Sequence, residues 1–155
     1  MKTFYSKVAY MKKYIFLTLL SIFLFSSHIF AAWNKVDMGS GGSYMLNVAV
    51  GNGRNDGMMR VYSSNADNHL YEFTYSGEVW NKVDLGSGGS RMHSLAVGNG
   101  RNDGVMRVYG ANDDSYMYEF TYSGGVWSKV DIGSVGILME SVAVGNGRFT
   151  YVIQI

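Results

Sequence analysis

The sequence predicts an all-β protein built of β-propeller blades, each a four-stranded antiparallel sheet, with a signal peptide in front and too few blades to close alone. Three observations carry that expectation. A block of 47 residues starting at Trp33 is written again from Trp80 with 34 of 47 positions identical, and a third copy from Trp127 matches the second at 15 of 22 positions up to Arg148. Periods in the forties belong to propeller blades or paired-helix solenoids. The chain carries 20 Gly, 12 Tyr, 8 Phe and 3 Trp and no Pro, which suits short strands and tight turns and not helices. Each period also holds four short apolar stretches between turn-forming clusters, the arithmetic of a blade.

The first segment, residues 1–32, is expected to be a signal peptide. Lys12 and Lys13 precede the apolar run 15–25, Ser26, Ser27 and His28 follow it, and Ala31 and Ala32 stand just before the repeats. Basic, apolar and small-residue regions in that order mark secretion and cleavage. The apolar run has 11 residues, against roughly 20 for a membrane span, so no membrane association is expected after cleavage. Met11 opens the better-shaped signal, which makes it an alternative start to Met1. Removing residues 1–32 leaves nine basic and 12 acidic residues, a net charge of −3. A mildly acidic secreted module is a poor nucleic-acid binder, because such binding rests on clustered Lys and Arg. Zero Cys excludes disulfides, thiolate metal sites and a cysteine nucleophile.

The repeat region, 33–155, divides into repeat 1 (33–79), repeat 2 (80–126), a partial repeat 3 (127–148) and a divergent tail (149–155). In repeat 1 the expected strands are 46–50, 58–63, 69–75 and 79–85. They are separated by the loop Gly51 to Gly57, the turn Asn65 to Asn68 and the pair Ser76-Gly77. Each stretch has a usual strand length, and a Gly every few residues forbids a helix pair. Propellers close with about four to eight blades, and two and a half leave open apolar faces. The expectation is a homo-oligomer that closes a ring, or a damaged copy of a longer gene. The loss of register after Arg148 reads as a truncation or frame shift.

The constellation with most chemistry is Arg60-Val61-Tyr62 with Glu72 twelve residues after the Arg, repeated as Arg107-Val108-Tyr109 with Glu119. If Asn65, Ala66 and Asp67 form the turn, the hairpin sets Arg60 opposite Glu72 on one face. An Arg fork beside a carboxylate offers donors and acceptors to adjacent sugar hydroxyls. Eight residues after each Glu stands a Trp, Trp80 or Trp127, and an indole can stack on a sugar's apolar face. The same residues also read as a self-neutralising ion pair with Trp as core.

Arg-Val-Tyr, an Asn/Asp turn, aromatic-Glu-aromatic, Gly and then Trp resembles the blade of the fungal and bacterial fucose-binding lectins, which are six-bladed propellers. The resemblance spans 60–80 and 107–127. It implies one carbohydrate site from Arg60 and Glu72 with Trp127, and a second from Arg107 and Glu119 lacking its aromatic wall. The loop 51–57 and the strand beginning Trp-Asn-Lys-Val-Asp depart from that family's pattern and leave the sugar unspecified.

The loop Asn52 to Gly57 resembles a calcium loop in its alternating oxygen side chains. Arg54 and Arg101 stand where ligands should, so a tight turn is expected and no metal. The glycine spacing does not fit phosphate binding. His69 and His93 fall outside the repeating design, and no nucleophile, His and carboxylate set is visible. The expected function is a secreted, cofactor-free, non-enzymatic glycan binder. The alternative is a structural or protein-interaction fragment, or a remnant without a ligand.

Overall fold

In a computed structural model that describes residues 35–134, 136–145 and the backbone of 149–153, strands β1 (Met45–Gly51), β2 (Arg60–Asn65), β3 (His69–Ser76) and β4 (Val79–Ser87) form one antiparallel sheet in chain order. β5 (Met92–Gly98), β6 (Arg107–Asn112), β7 (Tyr116–Ser123) and β8 (Val126–Ser134) repeat it. β9 (Met139–Val144) pairs with β10 (Phe149–Ile153) in a two-stranded sheet. The described residues are therefore all-β with no helix, and their sheets do not close on themselves. The chain divides into Met1–Asp37 and Met38–Ile155, and every described strand belongs to the second unit. The signal-peptide expectation for residues 1–32 lies outside the described residues.

Turn chemistry explains the hairpins. Gly77 and Glu78 both have positive φ between the paired Ser76 and Val79, the two-residue type I′ geometry that suits strand twist. Between β2 and β3 the Asn68 N–H donates to the Asn65 carbonyl at 3.0 Å, with Asn68 at φ 70°. Asp67 fixes this turn, accepting from the His69 N–H at 3.1 Å and from the Tyr71 hydroxyl at 3.0 Å. The loop residues are thus 66–68 and not 65–67. Glu72 faces Tyr62 across the ladder, so the expected Arg60 and Glu72 pairing is displaced by two residues. A shift of two preserves the face, because side chains alternate with period two. The second strand also starts two residues later than expected: Met58 and Met59 belong to the loop, and Met59 is 62 % exposed.

The central strands are covered on both faces because sheets pack face to face. Tyr62, Leu70 and Leu85 of the first sheet meet Met92, Leu95, Val108 and Phe120 of the second. Tyr109, Ala111 and Met117 of the second meet Met139 and Val142 of β9. Each core therefore lies between repeats and not within one, which is why a single repeat cannot bury its own apolar face. The first strands come closest. A Cβ on Gly51 would sit 2.5 Å from Val97 Cγ1, and one on Gly98 would sit 2.7 Å from Val144 Cγ1. These glycines are required for contact, at both junctions alike. The Asn47 amide completes the approach, donating to the His93 carbonyl at 3.1 Å and accepting from the Leu95 N–H at 3.3 Å.

Phe149–Ile153 of the divergent tail also form a strand. Phe149 pairs with Val144 and Thr150 with Ala143, so β10 takes the place beside β9 that β2 and β6 take beside β1 and β5. Its Phe-Thr-Tyr-Val-Ile sequence is rich in aromatic and β-branched residues, which favour a pleated ladder without matching the repeat.

Candidate functional site

The loop from Gly51 to Gly57 organises the charged residues. Asn52 starts it, its carbonyl accepting from Asn55 N–H and its side chain from Asp56 N–H, both at 3.1 Å. The Asp56 carboxylate takes the Met58 N–H at 3.0 Å and faces the Arg60 guanidinium at 2.7 and 2.6 Å. Arg60, nearly buried, also donates to the Met58 carbonyl and to Thr74 Oγ1, each at 3.1 Å. The oxygens that resembled calcium ligands are thus engaged by the loop's own donors.

Glu72 is fully buried; Arg54 is its hydrogen-bonded partner, and Arg60 is a more distant ion-pair partner. Arg54 Nε donates to Oε2 at 2.9 Å and Nη2 to Oε1 at 2.5 Å, while Arg60 Nε stays 3.7 Å away. The Tyr62 hydroxyl adds a third donor at 3.2 Å. A bidentate Arg and carboxylate pair is the strong form of this interaction. The hydrogen bond to Glu72 raises the Arg54 pKa against the opposing effect of burial. The Arg60 hydrogen bond holds the Asp56 carboxyl well below the usual carboxylate range. Burial, then the Glu72 charge, pushes the Tyr62 phenol up.

Repeat 2 copies this frame. Arg101 Nε donates to Glu119 Oε2 at 2.9 Å and Arg107 faces Asp103 at 2.8 and 2.6 Å. Arg107 Nε stands 3.4 Å from Glu119.

Between the sheets lies a cleft of about 700 Å³, lined by Arg54, by Val83, Asp84, Leu85 and Gly86 of β4, and by Tyr122, Gly125, Val126 and Trp127. The Arg54 guanidinium rests 4.3 Å over the Tyr122 ring, a cation–π contact. Trp127 packs against Tyr122 at 5.4 Å and edge-on against Tyr62 at 6.0 Å. Its indole N–H is buried and has no acceptor among the described residues. On the opposite wall Asp84 is held by His69 Nδ1 at 2.9 Å. Burial works to raise the Asp84 pKa, but the His69 hydrogen bond and the Gly86 N–H outweigh it and leave the carboxyl below its ordinary value.

Of the residues singled out in the sequence, Trp127 lines this cleft, while Arg60 and Glu72 stand behind it. Arg107 and Glu119 hold the equivalent places in repeat 2. Asp84 and Tyr122 escape sequence reasoning, which reads Arg54 only as a departure from a calcium loop and not as the partner of Glu72. One signal was available: Arg54 precedes Glu72 by the same 18 residues that separate Arg101 from Glu119. Comparison with protein-family models and with curated proteins finds no match to this chain.

Proposed function

We propose that this chain is a secreted, non-enzymatic carbohydrate-binding module of β-propeller type, and that the cleft between its two four-stranded sheets is the glycan site. The observation that supports it is an Arg54 fork held by buried Glu72 beside the aromatic wall of Tyr122 and Trp127. Glu72 occupies Nε and Nη2, and Nη1 is uncommitted to any described residue. That edge suits a pair of vicinal hydroxyls, and the rings suit the C–H face of a sugar. The resemblance of residues 60–80 and 107–127 to the fucose-binding lectin blade favours a fucose-type ligand. In this reading Arg54 takes the ligand-facing role, Glu72 positions it, and Arg60 anchors the loop through Asp56. A glycosidase needs two carboxyl groups flanking the bond, whereas Glu72 is clamped by Arg54 and Asp84 by His69.

A glycan array followed by calorimetry tests the proposal. Binding of fucosylated glycans is expected, with at least a tenfold loss in Arg54→Ala and in Trp127→Leu and a much smaller loss in Arg101→Ala. Folded protein that binds no sugar would overturn the reading. In that case the Arg54 and Tyr122 contact serves only to hold the two sheets together.

A further inference from the structure

Beyond the proposed sugar binding, the described residues carry a socket and a plug of one design, each filled twice and each left open once among those residues. The back of every first strand presents a polar residue, an alanine and a glycine: Asn47, Ala49 and Gly51 in β1, and Ser94, Ala96 and Gly98 in β5. The front of the next first strand presents two branched residues, Leu95 and Val97 in β5, and Val142 and Val144 in β9. They mesh the same way at both junctions. Val97 covers Gly51 and Val144 covers Gly98. Asn47 Oδ1 accepts the Leu95 N–H at 3.3 Å, and Ser94 Oγ accepts the Val142 N–H at 3.0 Å. Leu95 and Val142 become buried by this fit.

One front remains open. Val48 and Val50 of β1 hold the positions of Leu95 and Val97 and are 51 % and 60 % exposed. One back remains open as well, Ser141, Ala143 and Gly145, where Ala143 and Gly145 are exposed. Exposed branched side chains forgo the roughly 1.5–3 kcal/mol that burial of each contributes.

We propose that a second copy of this chain fills these faces head to tail: Val48 and Val50 of one copy dock on Ser141, Ala143 and Gly145 of the next. The intrachain junctions argue for this occupant, since they show the same two surfaces already fitted to each other twice. The Ser141 hydroxyl then accepts the Val48 N–H as Ser94 accepts that of Val142. The contact is heterologous, so it propagates until a ring closes.

The absence of Cys from the chain gives a clean test. Val50→Cys protein and Gly145→Cys protein are mixed and oxidised. A disulfide-linked dimer should form in the mixture and not in either variant alone. The intrachain pair Gly98→Cys with Val144→Cys is the control for this geometry, because a Cβ at Gly98 lies 3.1 Å from Val144 Cβ. In sedimentation velocity the unmodified chain should gain mass with concentration, and Val48→Glu with Val50→Glu should abolish the larger species while leaving the far-UV spectrum unchanged. Crosslinking of each single variant with itself would overturn the proposal. So would a concentration-independent monomer, or a Val50→Cys thiol shielded from reagent within a monomer, which would assign the face to residues 1–34 of the same chain.

Discussion

The loops 51–57 and 98–104 have the same seven residues and build the same ion-pair frame, yet their outer arginines differ. Arg54 is 20 % exposed beneath Tyr122, and Arg101 is 48 % exposed with no ring packed on its guanidinium among the described residues. The frame is therefore local, made by one loop and one buried Glu on the third strand. The cleft is not local, because its aromatic wall comes from the following repeat. A cleft of this kind arises only where one sheet lies against another, so identical sequence in two repeats does not mean two equivalent surroundings.

The largest expected difference between them lies in the buried carboxylates. Breaking a buried pair by removing one partner costs about 3–5 kcal/mol, since the remaining charge is left uncompensated. Glu72→Ala should fall in that range, because Arg54 is held against Tyr122 and cannot turn fully to water. Glu119→Ala should cost at least about 1 kcal/mol less, because the half-exposed Arg101 can be hydrated. Urea denaturation of the two variants decides this, and equal losses would mean that the covering sheet has no bearing on the pair.

Next in size is the junction between the sheets. Gly51→Ala forces a methyl group into Val97, and overpacking of this kind costs about 1–3 kcal/mol. Gly98→Ala meets Val144 at a slightly longer distance, 2.7 Å against 2.5 Å, and should cost somewhat less. On the proposed glycan-binding reading, Gly51→Ala should also weaken sugar binding, because it parts the two walls of the cleft. Thermal melts and calorimetry report the two effects separately, and a Gly51→Ala variant as stable as the parent would refute the close approach.

Much of this fold is legible in the sequence. The 47-residue period, the four apolar stretches and the Gly and Asn clusters locate the four strands of repeat 1 to within two residues, and repeat 2 copies them. What is not legible depends on choices between equivalent residues. Asn65 and Asn68 are both good turn formers, and the register depends on which adopts positive φ; Asn68 does so because Asp67 caps His69 and holds Tyr71. Arg54, Asp56, Arg60 and Glu72 likewise offer more than one pairing of opposite charges. Spacing along β2 and β3 favours Arg60 with Glu72, but the loop folds back, gives Asp56 to Arg60 and carries Arg54 to Glu72. Trp127 could be named from its place after Glu119. Tyr122 could not, since nothing in its own repeat marks it as the cover of an arginine in the previous one.

The smallest expected effect is a pH dependence that the two repeats should share. Asp56 and Asp103 each accept two guanidinium hydrogen bonds, and those bonds lower both carboxyl pKa values. Their stabilisation is present above the unfolded-state value of about 3.9 and is lost as pH falls through the lower folded-state value. Melting temperature should therefore drop between pH 5 and pH 2, less steeply in Asp56→Asn with Asp103→Asn. Both side chains are about two-fifths exposed, 43 % and 41 %, so salt screens the effect and it stays small. The single variants should flatten the profile equally, unlike Glu72→Ala and Glu119→Ala, because the second sheet covers Glu72's partner and leaves both aspartates in water. A much larger change in Asp56→Asn than in Asp103→Asn would instead carry the asymmetry of the cleft down into the loop itself.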